Sequence, residues 1–243
     1  KPPFSAPPAT ERLFGQQAQM IYRPIKSNWR TQRFGENLAC AVKDTGASFP
    51  YRTIPGAYAG NCPLNSVKLY PLLGLRGHNG EDWAAWRGEP CYHCAEFDGW
   101  QKSEIDINGG IGVDVISNEP IYPCDKGCLE GTLHYIKMRY WHFLSVEGYD
   151  GKQVKLGDLI GKCDSTGVSS GDHLHFAKKI CDKSGKAAHS DNGYTGAVDF
   201  EAEFDNVFVR DVLTIKAQAL SVIDLARKVI FEIVAWLNKR SGN

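Results

Sequence analysis

The chain has 243 residues, of which 42% are hydrophobic and 23% are charged, and this suits one large or two small globular domains. Its 28 basic and 28 acidic residues give a formal net charge of zero, so no long-range attraction to nucleic acid or to an anionic membrane is expected. The chain contains no run of about 18 apolar residues, so the sequence predicts no membrane-spanning helix.

The first segment, residues 1–33, mixes prolines with scattered charges. This composition predicts an arm or a loosely packed lead-in. The opening KPPFSAPPAT has neither a Met nor an apolar segment typical of a signal peptide. We therefore expect either that a leader has been removed or that another export route applies.

Residues 34–206 are predicted to form a mainly antiparallel β domain, because glycine and proline separate short runs of β-branched and aromatic residues. GVDVIS (112–117) and TLHYIKMRYWHFLSV (132–146) predict two strands on either side of a turn-rich segment. KQVKLGDLIGKC (152–163) predicts further strands and turns. Between residues 34 and 78, the stretch FPYRTIPGAYAGNCPLN has the length to fold over a groove.

The chain contains eight cysteines, an even number that fits disulfides in an oxidising compartment. Two close pairs, Cys91 with Cys94 and Cys124 with Cys128, also suggest a four-thiolate zinc site. The spacing of the second pair departs from the usual one for such sites, so disulfides or free thiols are favoured over a structural zinc.

The last segment, residues 207–243, is predicted to be a long amphipathic helix. It lacks proline and glycine through residue 240, and its apolar residues recur at alternating intervals of four and three. Those residues are Ile215, Ala219, Val222, Ala226, Val229, Ile233 and Trp236. Two interpretations stay open: the helix packs on the β domain, or it is a coiled-coil or partner-binding tail, through which the chain forms a homo-oligomer or binds a virion partner.

Two histidine-containing motifs carry the chemistry. In GDHLHF (171–176), His173 and His175 have strand spacing and are predicted to project to the same face. Upstream, GHNGEDW supplies His78 and Asp82. With one histidine of the later pair, these residues provide three protein ligands, and zinc with three protein ligands keeps a fourth position for water. This is the pattern of a catalytic rather than a structural zinc.

The ordered set of motifs resembles the lysostaphin/LytM-type zinc endopeptidases, which degrade bacterial peptidoglycan. The motifs are GHNGEDWAAWRGEPCY, then YWHFLSV, then LGDLIGKCDSTGVSSGDHLHF, and the resemblance covers roughly residues 34–180. It implies a lysostaphin/LytM-type β-sheet domain in which His78, Asp82 and His175 hold one Zn²⁺. It also implies that His142 and His173 are catalytic and contact the attacking water or the oxyanion; which of them is the base stays open.

The remaining histidines are expected to lie outside this zinc site. His134 lies eight residues before His142, about 26 Å away if both are on one strand, which is too far to share a zinc. His93, between Cys91 and Cys94, is expected in a core or surface role, with contact to a thiol or a second metal site as the alternative, and His189 is expected in solvent.

The resemblance implies an endopeptidase that cuts peptide cross-links of peptidoglycan, located outside the cell, in the periplasm or on a virion, as a phage tail or lysis component or a bacterial wall-remodelling enzyme. Two alternatives stay open: an interaction or assembly module that keeps zinc without turnover, and a peptidoglycan amidase.

Overall fold

The computed structural model describes residues 19–46, 50–57, 61–123 and 133–241. Over these ranges the chain forms mostly antiparallel β-sheets followed by one long helix, which confirms the predicted mainly β fold class with its C-terminal helix. The helices are α1 (Leu69–Leu72) and α2 (Val209–Ser241). The strands are β1 (Ile21–Arg23), β2 (Arg30–Gln32), β3 (Cys40–Lys43), β4 (Tyr51–Thr53), β5 (Val67–Lys68), β6 (Glu81–Ala84), β7 (Pro90–Tyr92), β8 (Gly99–Ile105), β9 (Ile111–Ser117), β10 (Tyr122–Pro123), β11 (Leu133–Trp141), β12 (Phe143–Val146), β13 (Gln153–Val154), β14 (Leu159–Cys163), β15 (His173–Cys181), β16 (Ala197–Val198) and β17 (Phe204–Phe208).

The largest sheet in the described ranges has nine strands, in the order β13–β8–β9–β11–β15–β6–β2, with β10 beside β11 and β16 beside β15. Alternation along β11 divides its side chains between two faces. Met138 and Tyr140 are fully buried in the core, whereas Arg139 and Trp141 belong to the opposite face. The predicted strand at 112–117 is β9, which pairs with β11.

A second sheet, β12–β14–β7, contributes to the same core. Its Phe143 and Ile160 are fully buried and join Val113 and Val115 of β9 in one cluster. The predicted strand at 132–146 is broken at His142, whose φ of 66° is in the left-handed region. The break passes the chain from β11 in the large sheet to β12 in the second one.

The segment between residues 34 and 78 forms a third sheet, β4–β3–β5, followed by α1. A disulfide joins Cys40 of β3 to Cys62. Thr53, Leu69 and Tyr70 of this segment line the cleft that holds His78. Of the stretch predicted to fold over a groove, Thr53 lines the cleft; residues 47–49 and 58–60 lie outside the described ranges.

The boundary predicted between residues 33 and 34 does not coincide with an edge of the packed core. Ile21 and Ile25 are 2% and 0% exposed, and β2 pairs with β6 of the large sheet. β1 pairs in parallel with β17, close to the start of α2. Residues 1–18 of the predicted arm lie outside the described ranges.

Helix α2 packs on the β domain only through its first turns. Val209 and Val212 are buried, and the Lys216 ammonium lies 2.7 Å from the Glu96 carboxylate. All side chains from residue 214 to residue 234 are exposed. The interpretation that the whole apolar stripe packs on the β domain is therefore wrong for the described side chains. No helix in the described ranges is long and apolar enough to cross a membrane.

Candidate metal centre

The three predicted ligands line a cleft of about 390 Å³. The ligand atoms of His78, Asp82 and His175 all lie within 4.8 Å of one another. The two strand residues meet because β6 and β15 are antiparallel neighbours in which Asp82 is directly opposite His175. Side chains of directly opposed residues lie on the same face at short distance.

His78 enters the cluster from the loop before β6. Its backbone is held by two hydrogen bonds, from the Gly35 nitrogen to the His78 oxygen (2.8 Å) and from the His78 nitrogen to the Glu36 oxygen (2.7 Å). Nδ1 of the ring lies 3.2 Å from the Arg33 carbonyl oxygen, so this nitrogen carries the proton and donates it. Nε2 is left facing Asp82 Oδ1 at 3.1 Å.

His175 presents its Nδ1 to the same point, 3.0 Å from Asp82 Oδ1 and 2.9 Å from Nε2 of His78. Its ring lies against the backbone of the GHNGED loop. A Cβ atom at Gly80 would be 2.7 Å from Cε1 of His175 and 2.6 Å from the Phe176 carbonyl oxygen. The glycine at position 80 therefore leaves the room in which the His175 ring is seated.

Charges within the cluster are strongly coupled. Burial alone would raise the pKa of the Asp82 carboxyl, but the surrounding histidines, His78 first, hold it well below its ordinary value. Burial disfavours a charged His78 ring, yet Asp82 outweighs this effect and raises the pKa of His78. Desolvation lowers the pKa of His175 to about 4, against the attraction of Asp82. His175 is thus neutral at pH 7 and keeps a lone pair for a ligand.

The donor set fits a zinc ion. Two imidazole nitrogens and one carboxylate oxygen are ligand types that zinc takes, and three protein ligands are typical of catalytic sites. Nε2 of His78 and Nδ1 of His175 lie 2.9 Å apart. Without a cation, this contact needs a proton between the two nitrogen lone pairs. A divalent cation would accept both lone pairs together with an oxygen of Asp82. The carbonyl that fixes the His78 tautomer is the kind of outer partner that metal-binding histidines have.

His142 lies beside this cluster, at the break between β11 and β12. Nδ1 of its ring donates to the Thr166 carbonyl oxygen at 2.6 Å, and its own carbonyl accepts from the Asp164 nitrogen at 2.8 Å. Burial, followed by His173 and His175, lowers the pKa of His142 well below its ordinary value. A neutral ring with Nδ1 occupied as a donor has a free Nε2 lone pair, which is what a proton acceptor requires.

His173 is the second histidine beside the ligands. Nδ1 of its ring lies 2.8 Å from the Gly171 carbonyl oxygen and 3.2 Å from the Ser169 hydroxyl. Nε2 lies 3.7 Å from Asp82 Oδ1. The rings of His142 and His173 have centroids 4.4 Å apart, so the structure brings both predicted catalytic residues to the same side of the ligand cluster.

The other predicted positions are separate from this centre. His93 is fully buried, with Nδ1 3.0 Å from the Tyr140 hydroxyl and Nε2 3.0 Å from the Phe97 carbonyl oxygen, which is a core role. His189 is exposed. Cys91 and Cys94 are buried free thiols. The thiolate zinc site needs Cys124 and Cys128, which lie outside the described residues, so that alternative stays untested.

Sequence patterns missed the groups that orient the histidine rings. These are the backbone carbonyls of Arg33, Thr166 and Gly171, and a carbonyl group has no signature in the residue types around it. Tyr70 was missed as well: its ring centroid lies 5.7 Å from that of His78, and it lines the cleft. Only the glycine inside GHNGED was a visible signal, because glycine permits close approach.

No family model and no curated protein matches the chain. Among solved structures, it is similar to the catalytic domain of the antimicrobial peptidase lysostaphin from Staphylococcus simulans, with 23% identity over 53% of this chain and 81% of that chain and a TM-score of 0.39. It is also similar to LytU, with 24% identity over 51% of this chain and 70% of that chain and a TM-score of 0.36. It is similar as well to a mutant catalytic domain of the prophage-encoded M23 protein EnpA from Enterococcus faecalis. The identity is 20% over 67% of this chain and 88% of that chain, and the TM-score is 0.33.

These neighbours agree with the lysostaphin/LytM resemblance of the motifs. Their identities and TM-scores are too low to carry an inference about what this chain does.

Proposed function

We propose that the chain is a zinc-dependent endopeptidase that hydrolyses peptide cross-links of bacterial peptidoglycan. The observation that carries the proposal is the convergence of His78, Asp82 and His175, with His142 and His173 beside them, in an open cleft. Zinc held by these three ligands would polarise a carbonyl group and lower the pKa of a bound water to about 7.

The two remaining histidines supply the proton transfers that peptide hydrolysis needs. Nε2 of the neutral His142 accepts a proton, because its Nδ1 already donates to the Thr166 carbonyl. His173 is fixed in the same way by the Gly171 carbonyl, with Nε2 turned toward the ligand cluster. One ring takes the proton of the attacking water and passes it to the leaving amine. The other ring, whose Nδ1 is likewise occupied by a carbonyl, would donate a hydrogen bond from Nε2 to the developing oxyanion in its protonated form.

The shape of the cleft supports a polymeric peptide substrate. Its lining combines the histidines with Thr53, Leu69 and Tyr70 of the disulfide-bonded segment, Trp141 of β11, and Asp106. The cleft therefore extends beyond the histidines to side chains from several separate segments.

Location outside the cytoplasm follows from the substrate. The Cys40–Cys62 disulfide supports an oxidising compartment, where such bonds persist. We infer an extracellular, periplasmic or virion-associated protein, and a phage tail or lysis role belongs to the same proposal.

The decisive experiment is digestion of purified sacculi, followed by mass spectrometry of the released fragments. The zinc-loaded protein should release peptides with new amino and carboxyl ends inside the cross-link. Chelator or His78→Ala should abolish release, and zinc should restore the chelated sample. His189→Ala, at an exposed histidine outside the cleft, is the matched control and should retain full activity.

Two results would replace the proposal. Peptides freed from the sugar with an intact cross-link would identify an amidase. Normal zinc content without products on sacculi of different cross-link chemistry would identify an interaction or assembly module.

A further inference from the structure

Helix α2 carries an apolar surface that the described part of this chain leaves uncovered. Val222 is 65% exposed, Val229 51% and Ile233 51%. The helix is bound to the β domain only near its start, where Val209 and Val212 are buried. Contiguous apolar surfaces of this kind on a folded protein mark interaction sites.

The spacing of six exposed residues defines a seam, the α2 seam, within a wider apolar surface that also carries Leu220, Leu225 and Phe231. Its members follow one another at intervals of 4, 3, 4, 3 and 4 residues: Ile215, Ala219, Val222, Ala226, Val229 and Ile233. An average interval of about 3.5 residues keeps a stripe facing one partner helix along a left-handed supercoil. The seam contains no charged residue; Asp224 and Lys228 lie outside it.

We propose that the α2 seam pairs with the same seam of a second copy of this chain, in antiparallel orientation. An antiparallel pair centred on residue 224 places Ala219 against Val229 of the second copy. It likewise places Val222 against Ala226, and Ile215 against Ile233. Every alanine then faces a valine, and this fills the space between the helices evenly. A parallel pair would set each alanine against itself and leave two layers underfilled.

The residues flanking the seam face one another across it, one residue from level in the same register. On one side, Gln218 faces Glu232 of the second copy, and Leu225 faces Leu225. On the other side, Ile223 faces Ile223, and Lys216, which binds Glu96, faces Ile230. Leu225 and Ile223 are 63% and 47% exposed in the single chain, so the pairing covers them.

Sedimentation of the full chain tests the pairing. The parent should be a dimer that dissociates on dilution, and the double variant Val222→Glu, Val229→Glu should be a monomer with unchanged zinc content and helix content. Phe231→Glu is the matched control, because Phe231 is 75% exposed on α2 but lies outside the seam, and it should remain dimeric. A monomeric parent at about 100 μM, or equal loss of the dimer in Phe231→Glu, would overturn the proposal. So would a parent that stays monomeric and binds phosphatidylglycerol vesicles.

Disulfide cross-linking between two variants that each carry one added cysteine tests the orientation. Chains with Ala219→Cys and chains with Val229→Cys are mixed and oxidised, and mass spectrometry distinguishes the products by the different masses of the two variants. The antiparallel register predicts mainly the mixed dimer. Cross-linking of each variant mainly with itself would show a parallel pair and overturn the register.

Discussion

Replacing Gly80 with alanine is a direct test of the geometry of the ligand cluster. The added Cβ would lie 2.6 Å from the Phe176 carbonyl oxygen, 2.7 Å from Cε1 of His175 and 2.8 Å from its Nε2. Contacts below 3.0 Å force an atom to move. Because the oxygen belongs to the backbone of β15, the strain is relieved chiefly by displacing the His175 ring.

The magnitude has two parts. Forcing an extra methyl group into a packed site costs about 1–3 kcal/mol, which lowers the Tm of a chain of this size by about 2–12 °C. The same displacement moves Nδ1 of His175 from its position 3.0 Å from Asp82. Disturbing the support of a metal ligand typically weakens metal binding about 10- to 100-fold. This range corresponds to about 1.4–2.8 kcal/mol of binding free energy.

The assay measures the two parts separately. Zinc affinity is obtained by competition with a chromophoric chelator, and the Tm is measured on the metal-free protein. Gly171→Ala is the matched control, because a Cβ at Gly171 would meet nothing within 4 Å and the residue precedes the same histidine motif. Parent-like zinc affinity in Gly80→Ala would refute the placement of His175 against the loop and, with it, the derived ligand geometry.

Three further predictions follow from individual contacts. His142→Ala and His173→Ala should keep their zinc in metal analysis. Each should lose turnover by a factor on the order of a hundred or more, because the two imidazole rings are proposed to act on the water or the oxyanion. Parent-like turnover in either variant would exclude that residue from the mechanism. Asp114→Ala should lower the free energy of unfolding by about 3–5 kcal/mol in denaturant titrations, because the carboxylate is 1% exposed and binds two cationic side chains. The buried Lys137 ammonium would lose this carboxylate, and, among the described residues, Arg139 would keep only the Glu104 carboxylate. Burial alone would raise the pKa of Asp114, but the bound guanidinium and ammonium groups lower it below 3.8, so the stability it contributes is present at neutral pH and should be lost as the pH falls below about 4. Cys62→Ser opens the disulfide to Cys40, which spans 22 residues, and should cost about 3 kcal/mol in the same titrations.

The fold class was accessible from local patterns in the sequence, and the proximity of His78, Asp82 and His175 was accessible from the ordered motifs and their resemblance to a family. The β-branched residues of GVDVIS predicted β9, and the intervals of four and three predicted α2. The strand spacing of His173 and His175 put both on one face, which the structure shows. The packing of Ile21 and Ile25 was missed, because two isolated apolar residues among prolines and charges have no periodicity.

The site also depends on a local violation of strand geometry that residue patterns do not report. YWHFLSV predicts an unbroken strand, yet the backbone at His142 has φ 66°, a conformation that costs a non-glycine residue on the order of 1–3 kcal/mol. Two hydrogen bonds hold it there, the Nδ1 donation to Thr166 and the acceptance from the Asp164 nitrogen. The consequence is functional as well as topological. The same residue that turns the chain from the large sheet into the second one also brings its ring within a 4.4 Å centroid distance of His173. A regular strand would have continued past the cluster of His78, Asp82 and His175, so the strained backbone at His142 is what brings the proposed proton-transfer groups beside the proposed zinc ligands.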